Sequence, residues 1–436
     1  MQVTADLHLH SKYSRAVSPQ MTIPVMAQWA QKKGLGLLAT ADWTHPLWLK
    51  ELETYLEEAS EGIYKLKTEN LKLKTRFILG TEIANIYTQD GQSRRIHTLF
   101  FAPSFNTVHK INAELVRRGA NLMSDGRPIL GLSLKQLCEL VWGIDEQVVA
   151  VPAHIWTPWF SVFGSKSGFN SIEECFGQHA DKIQAIETGL SSDVLMNWKI
   201  KDLDNRAIIS NSDSHSPGKM GREATVLELP ENYEFSDVAK FKVAYTIEFH
   251  PEEGKYHYTG HRVCNVVQSP EETRQKGTTC HVCGRPLTVG VEHRVDELAD
   301  KERLEMKAIE KVNNHGVKGY FHPTEKSRPP YVMLVPLMEI LGEALGTGSA
   351  SKKVEELYEK MITALGPELN ILLKVKPEEI VKAAGEKVGE GIKKVRRGEI
   401  VIQPGYDGVF GVVKIWPLPA TAAAGQALKS EQESLF

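Results

Sequence analysis

The decapeptide ADLHLHSKYS, residues 5–14, decides how the first half of this chain is read. In an extended segment side chains alternate between faces, so His8 and His10 share one face while Leu7 and Leu9 take the other. Two imidazoles one pleat apart at a strand end grip a metal ion when other elements supply further ligands. Without such ligands they are two polar residues at a strand end, and a lone His-x-His carries little weight. The rest of the chain has to be searched for partners.

Outward from that strand, short apolar segments alternate with amphipathic helices up to about residue 230. TIPVMAQWAQKKG (22–34) reads as a helix with Thr22 as N-cap and Gly34 at its stop, and PLWLKELETYLEEASEG (46–62) as a second. LGLLATAD (35–42), RFILGTEI (76–83), IHTLFFAP (96–103), VVAVPAHI (148–155), IQAIETG (183–189) and AIISNSDSH (207–215) read as strands, most of them separated by helical segments. Repeated β-α units with polar residues at strand C-termini predict an α/β barrel over residues 1–235, with its site on that face.

The chain has 436 residues, 42% hydrophobic and 25% charged, an ordinary globular composition with room for two or three domains. A formal net charge of −3 gives no global basic field, so a polyanionic partner would be held by local patches or metals. Five cysteines, three of them between residues 264 and 283, predict a reducing compartment and a metal knot in place of a disulfide framework. The N-terminus enters the first strand without a basic-apolar-small signal pattern, and no apolar run reaches the length of a membrane span. A cytoplasmic protein with no membrane partner is expected.

After His8 and His10, each predicted strand ends in a residue that binds metal well: Asp42, Glu82, His97, His154, then Asp213 with His215. Any one of them serves equally as a cap for the next helix. All of them on one face need partners once buried. A mixed His and carboxylate set of this size predicts two or three divalent ions (Zn, Mn, Fe or Mg) and not one.

This ordered series resembles the PHP (polymerase and histidinol phosphatase) family over roughly residues 1–230. The resemblance implies a distorted β/α barrel with a trinuclear phosphoesterase site. It implies that His8, His10, Glu82 and Asp213 share one ion, that Glu82 bridges to a second held by His97 and His154, and that Asp42 and His215 help hold a third. Trp43 stands where the family usually has His after the motif Asp. Either His45 takes that role from a bulged loop, or the third ion is weak or absent. Metal ions lower the pKa of a bridging water and neutralise phosphate oxygens, so phosphate-ester hydrolysis is the expected chemistry.

Past residue 235 the pattern changes. FKVAYTIEFHPEEGKYHYTGH (241–261) is hairpin-like, and HRVCNVVQSPEETRQKGTTCHVCGRPL (261–287) continues from it. Cys280 and Cys283 have the C-x₂-C knuckle spacing. With Cys264 and His261 they predict a Cys₃His structural zinc site in a domain over 236–295, with His257 and His293 as rivals for the fourth place. Residues 296–416 are expected to be mostly helical, as in PYVMLVPLMEILGEALG, SKKVEELYEKMITALG and PEEIVKAAG, and to close on the glycine-rich IVIQPGYDGVFGVVKIW. Residues 417–436 lack a core-forming pattern and are expected to be a flexible tail.

Domain order and motifs together resemble the endonuclease Q family over nearly the whole chain, among them PAHIWTPWFSVFG (152–164), SIEECFG (171–177), ETGLSSD (187–193) and GVEHRVDELAD (290–300). Members are repair endonucleases that cut DNA on the 5′ side of deaminated bases (hypoxanthine, uracil, xanthine) and of abasic sites. The resemblance implies that activity here, with damaged DNA as partner. Two rival readings are a small-molecule phosphatase of the histidinol-phosphatase type, which has no use for the second half, and a non-catalytic DNA-binding scaffold, which has none for the ligand set.

Several residues outside the ligand set have two readings each. Trp156, Trp159, Phe160 and Phe163 follow a metal ligand, placed to stack on an extruded base or to pack as an apolar loop. Asp193 fits three roles: protonating the leaving 3′-oxygen, positioning substrate, or capping a helix. Tyr406 and Asp407 lie in PGYDGVFG, whose backbone can approach a base closely or form a plain tight turn. KLKTENLKLKTR (65–76) and KKVRRG (393–398) suit phosphate backbone or a solvated helix face. QESLF (432–436) resembles the peptide by which bacterial polymerases and repair proteins dock on the sliding clamp, with Gln432 at one pocket and Leu435 and Phe436 in an apolar one.

Overall fold

The strand that leads into the two histidines lies inside a thirteen-stranded sheet, not at its edge. The computed structural model describes residues 1–67 and 74–417. The strands of the first 250 residues are β1 (Gln2–Asp6), β2 (Leu37–Ala39), β3 (Leu56–Ser60), β4 (Ile63–Leu66), β5 (Arg76–Gln89), β6 (Gln92–Ala102), β7 (Ile129–Leu130), β8 (Val149–Pro152), β9 (Ala185–Glu187), β10 (Ala207–Ile209), β11 (Ala224–Glu228) and β12 (Val243–Glu248). β1 pairs in parallel with β2, Ala5 opposite Leu37, and antiparallel with β11, Ala5 opposite Thr225. From β2 the sheet runs through β5 and β6 to β8. β9 and β10 form a separate parallel pair that fills the remaining gap. Ile155 N, just past β8, donates to Glu187 O (3.1 Å), and Ser210 N, just past β10, donates to Thr225 Oγ1 (2.8 Å). The barrel is closed partly by ladders and partly by single bonds, which is its distortion.

Both faces of the central strands are buried. In β2, Leu37 and Ala39 join Leu7, Ile78, Leu99, Val151 and Leu227, while Leu38 packs with Phe77, Leu79 and with Met26, Ala27 and Ala30 of the helix Ile23–Lys33. Short, uninterrupted apolar runs are what parallel strands covered on both sides require. Each such side chain contributes about 1.5–3 kcal/mol at full burial. The covering helix starts after Thr22 and stops at Gly34, whose φ of 90° is left-handed, as its sequence predicts.

Three elements differ from expectation. The helix begun at Pro46 ends at Tyr55, and Leu56–Ser60 pairs with β4 across a turn at Gly62. A Cβ at Gly62 would meet Phe235 Cβ at 2.6 Å, so the turn is tightly packed. Next, β5 and β6 are not separated by a helix. They form one long antiparallel hairpin through Asp90-Gly91, both at positive φ (51° and 75°), the two-residue turn that favours Asp-Gly. Finally, the 241–261 segment is no hairpin. β12 returns to the main sheet beside β11, while β13 (Thr259–His261) pairs with β14 (Val266–Gln268).

The large sheet does not stop at residue 235. It continues through β17 (Tyr331–Met333), parallel to β12, to β16 (Lys318–Phe321) and β15 (Ile309–Val312), each antiparallel to the last. The C-terminal region is therefore only partly helical: a strand meander occupies 309–333, and the helices follow from Leu337 to Arg397. They are pinned to the barrel by a buried pair, Lys33 Nζ to Glu368 Oε2 at 2.7 Å, with Tyr358 Oη donating to the same carboxylate at 2.9 Å. Among the described residues no helix is long and apolar enough to cross a membrane.

Candidate metal centre

Just past the C-terminal end of β1, Leu9 bridges to Ser214, with His10 N donating to Ser214 O at 3.1 Å. That contact sets residues 213–215 beside residues 8–10. Asp213 Oδ1 lies 3.0 Å from His10 Nε2, 3.5 Å from His8 Nε2 and 3.7 Å from His215 Nδ1. Glu82 and His97 come from the middle of β5 and β6, not from strand ends. Ala84 stands opposite His97 in that ladder, so Glu82 and His97 are diagonal neighbours on one face.

Glu82 is the centre of the site. Its Oε1 lies 2.7 Å from His97 Nδ1 and 3.2 Å from His154 Nε2. Its Oε2 faces His8 Nε2 at 3.6 Å and His10 Nε2 at 3.4 Å. One carboxylate thus spans two groups of imidazoles, the arrangement of a bridging ligand. Burial would raise its pKa, but His97 and the Arg127 guanidinium, 3.2 Å from Oε2, hold it well below the usual carboxylate range. Asp213 is likewise held low against burial, by His8 first. His97 and His215 are pushed down to about 4, burial being the main cause, which leaves both imidazoles neutral with a lone pair to donate.

The donor set fits divalent cations. His8 Nε2, His10 Nδ1 and Asp42 Oδ1 are buried without a hydrogen-bond partner, which native interiors rarely tolerate. Asp42, His154 and Asp213 hold left-handed φ values of 44°, 30° and 47°, local strain of the kind functional sites retain. Around His154 that conformation is enforced: its N–H donates to Glu187 Oε2 (2.8 Å), and a Cβ on Gly189 would come within 2.3 Å of its own Cβ.

The remaining ligand candidates separate. Asp42 Oδ1 is 3.5 Å from His10 Nδ1, while its Oδ2 accepts from Ser11 N (2.7 Å) and Ser14 Oγ (2.8 Å). His45 stacks on Tyr13, ring centroids 4.5 Å apart, and its Nδ1 is buried without a hydrogen-bond partner. Trp43 is a core residue whose indole donates to Phe100 O (3.2 Å). Two functional residues escaped the sequence reading. Glu187 accepts from His8 Nδ1 (3.0 Å), which directs His8 Nε2 toward Glu82, and Arg127 reaches in from a loop. ETG at a strand end was a faint sign for the first; nothing local marks the second.

Away from the barrel, His261, Cys264, Cys280 and Cys283 place one ligand atom each within 4.8 Å of one another. The rivals face elsewhere: His257 Nε2 lies 3.4 Å from Glu292, and His293 Nε2 3.6 Å from Glu297. The Cys280 thiol drops to about 6 despite burial, because the backbone N–H groups of Cys283 and Val282 point at it. Its thiolate is the metal-binding form.

Of the proposed DNA contacts, Trp156 is a correction. It is 1% exposed and its indole donates to Asn197 Oδ1 (2.8 Å), so it belongs to the core and cannot stack on a base. Phe163 is buried with it, and Phe160 lies against His97 at 4.6 Å. Trp159 alone of the four is exposed, edge-on to Tyr256 at 5.5 Å. Asp407 is also corrected: its oxygens accept from Arg262 N (2.7 Å) and Thr288 Oγ1 (2.6 Å), so it ties a tight turn to the cysteine region and is not free to read a base. The neighbouring Tyr406 ring packs on Gly260, where a Cβ would lie 2.5 Å from its Cδ2. Asp193 caps the helix Val194–Trp198 by accepting from Met196 N (2.8 Å). Gln432, Leu435 and Phe436 lie outside the described residues.

Among known proteins, residues 336–399 match the family model of the MJ0043 C-terminal domain. The uncharacterized protein MJ0043 of Methanocaldococcus jannaschii is 32% identical over 271 residues, 60% of this chain; the match spans 31% of that protein's length. The uncharacterized protein YqxK of Bacillus subtilis is 28% identical over 433 residues, 95% of this chain and 99% of that one. The lesion-specific endonuclease PfuEndoQ of Pyrococcus furiosus superposes with a TM-score of 0.78 at 29% identity, covering 98% of both chains. Endonuclease Q bound to a 27-mer duplex with an abasic lesion at its active site matches with a TM-score of 0.79 at 30% identity, over 98% of this chain and 99% of that one. The chain belongs to the endonuclease Q family. Its likeness to endonuclease Q runs from end to end, through the barrel, the cysteine cluster and the C-terminal helices.

Proposed function

We propose that this member of the endonuclease Q family is a DNA repair enzyme that hydrolyses the phosphodiester on the 5′ side of a deaminated base (hypoxanthine, uracil or xanthine) or of an abasic site. The observation that carries the reading is the Glu82-centred ligand set in a chain that aligns end to end with an endonuclease bound to a lesion duplex. His8, His10, Glu82 and Asp213 would hold one divalent ion, Glu82 with His97 and His154 a second, and Asp42 with His215 a third. Ions in these places would supply hydroxide at neutral pH and neutralise charge on the phosphate.

The chain's own groups do the rest. Arg127, its side chain 25% exposed beside Glu82, turns N–H groups toward phosphate oxygens. The Asp193 carboxyl, pushed up to about 6 chiefly by burial, keeps its proton in a minor fraction of molecules at neutral pH, and that form donates it to the leaving 3′-oxygen. Trp159 offers an exposed face for base stacking. The Cys₃His cluster would hold one structural zinc that orders the segment from His261 to Cys283, and the C-terminal peptide docks on the sliding clamp.

The test is incubation with Mg²⁺ or Mn²⁺ and labelled duplexes carrying one hypoxanthine, uracil or abasic site, with a single cut 5′ to the lesion expected. Hydrolysis of histidinol phosphate with every duplex left intact would make the protein a small-molecule phosphatase. Duplex binding without any hydrolysis would make it a scaffold.

A further inference from the structure

A second cationic feature lies in a part of the chain that the barrel chemistry does not use. The helices Pro377–Ala384 and Glu386–Arg397 meet the turn after β15 around a concave notch of about 270 Å³. Lys376, Lys393, Arg396 and Arg397 surround a floor of Ile380 and Ile392, and no acidic side chain lines it. Arg396 is 3% exposed. Its guanidinium donates to Leu372 O, His315 O, Ile371 O and Val375 O at 2.6–2.9 Å. Five N–H groups less four leaves one on Nη1, and the charge has no acidic partner among the described residues. Lys376 and Lys393 are exposed and also form no ion pair among the described residues; Arg397 has Glu399 at 3.6 Å. A buried guanidinium without a counter-charge is costly, and an anion in the notch relieves that cost.

The sheet fixes where this notch stands relative to the metal ligands. One row of paired residues crosses it: Ala5, Thr225, Thr246, Tyr331 and Tyr320. β1 runs forward from Ala5 to His8. β16 is antiparallel to β17, which runs with β12 and β1, so moving from Tyr320 back toward Gly316 follows the same direction. The turn Asn314–Gly316, which forms one wall of the notch, therefore lies on the same edge of the sheet as His8. Four strand spacings of about 4.8 Å separate them, about 19 Å. Measured along the axis of B-DNA that is about five or six base pairs, at roughly 3.4 Å of rise each.

We propose that the notch grips the phosphate backbone of the duplex about five or six base pairs from the nucleotide being cut, an inference that rests on the DNA-cutting function proposed above. The site gives no sequence readout. It lengthens the footprint and holds the lesion in register while the barrel acts.

The test uses the full chain and a double variant, Lys376→Glu with Lys393→Glu, both exposed positions, its melting temperature checked against wild type. Single-turnover cleavage gives the half-saturating enzyme concentration on lesion duplexes that extend three or twelve base pairs beyond the lesion, on either side. On one long duplex polarity the variant is expected to need about tenfold more enzyme, with an unchanged maximum rate. The slope of log affinity against log salt should fall there by about two, near 0.9 per lost contact. On duplexes extended by three base pairs on both sides the two proteins should match. Equal half-saturation and equal salt slopes on both long duplexes would overturn the inference while leaving the cleavage activity in place, as would an equal loss on short and long duplexes. A wild-type protein that cuts no lesion duplex would instead overturn the functional reading, and this inference with it.

Discussion

Replacing Glu187 by Gln tests the least visible part of the metal centre. The carboxylate is fully buried and accepts from His8 Nδ1 at 3.0 and 3.1 Å, His154 N at 2.8 Å and Asn211 Nδ2 at 2.8 Å. It fixes a proton on His8 Nδ1 and so leaves Nε2 facing Glu82 and Asp213. Gln has the same shape but only one accepting oxygen, so its amide must point N–H at a donor. One charge-assisted hydrogen bond is worth about 1.5–3 kcal/mol, or about 10–100-fold in the equilibrium that needs His8 oriented, the range typical when the partner of a metal-binding His is lost. Titrating Mn²⁺ against cleavage of a lesion duplex should show half-maximal activity displaced upward by that factor, with the maximum rate at saturating metal restored to within a few-fold. An unchanged metal dependence in a variant that melts normally would refute the role assigned to Glu187. So would a loss of rate that no metal concentration restores.

Breaking the Lys33–Glu368 pair by Lys33→Met alone should cost about 3–5 kcal/mol, since it strands a buried carboxylate, whereas Lys33→Met with Glu368→Gln should recover most of it in thermal melts. Glu248 is fully buried with Oε2 unpartnered, and burial raises its carboxyl to about 7. A folded-state pKa above the unfolded one contributes stability that is present below about 4.5 and lost as pH rises through about 7. Glu248→Gln should therefore raise the melting temperature relative to wild type at pH 8 and give no advantage at pH 5. Cys280→Ser should lower the melting temperature and abolish the sensitivity of the 236–295 region to a zinc chelator, read by limited proteolysis, because a structural zinc contributes folding free energy.

The strands that carry His8, Asp42, His154 and Asp213 were legible because each is a short apolar run ending in a ligating residue. The hairpin of β5 and β6 was also written in the sequence, as two residues, Asp90-Gly91, between alternating runs. A direct hairpin in place of the expected helical connection is what puts Glu82 and His97 in mid-strand. Ligand grouping came from the family resemblance, since which imidazoles share a carboxylate depends on closure between segments about 200 residues apart. β15 and β16 escaped for another reason. They lie at the sheet edge, with every β15 residue exposed, and so lack the apolar alternation that marks a half-buried strand. Trp156 and Trp159 are three residues apart in one aromatic loop, and composition alone cannot assign one to the core and the other to solvent.

The placement of β1 between β2 and β11 has a consequence for how the chain comes into being. On the ribosome Ala5 can find Leu37 early, but Thr225 does not yet exist. At roughly 5–20 residues per second the first strand waits some tens of seconds with one edge unpaired. Asp213 arrives in the same interval, so His8 and His10 cannot be completed as a ligand set before the barrel is nearly finished. The cysteine cluster, by contrast, closes within residues 261–283 and can take up its ion soon after it emerges. The two candidate ligand sets of one chain are thus completed by different clocks: one local and quick, the other tied to the last strand of the barrel.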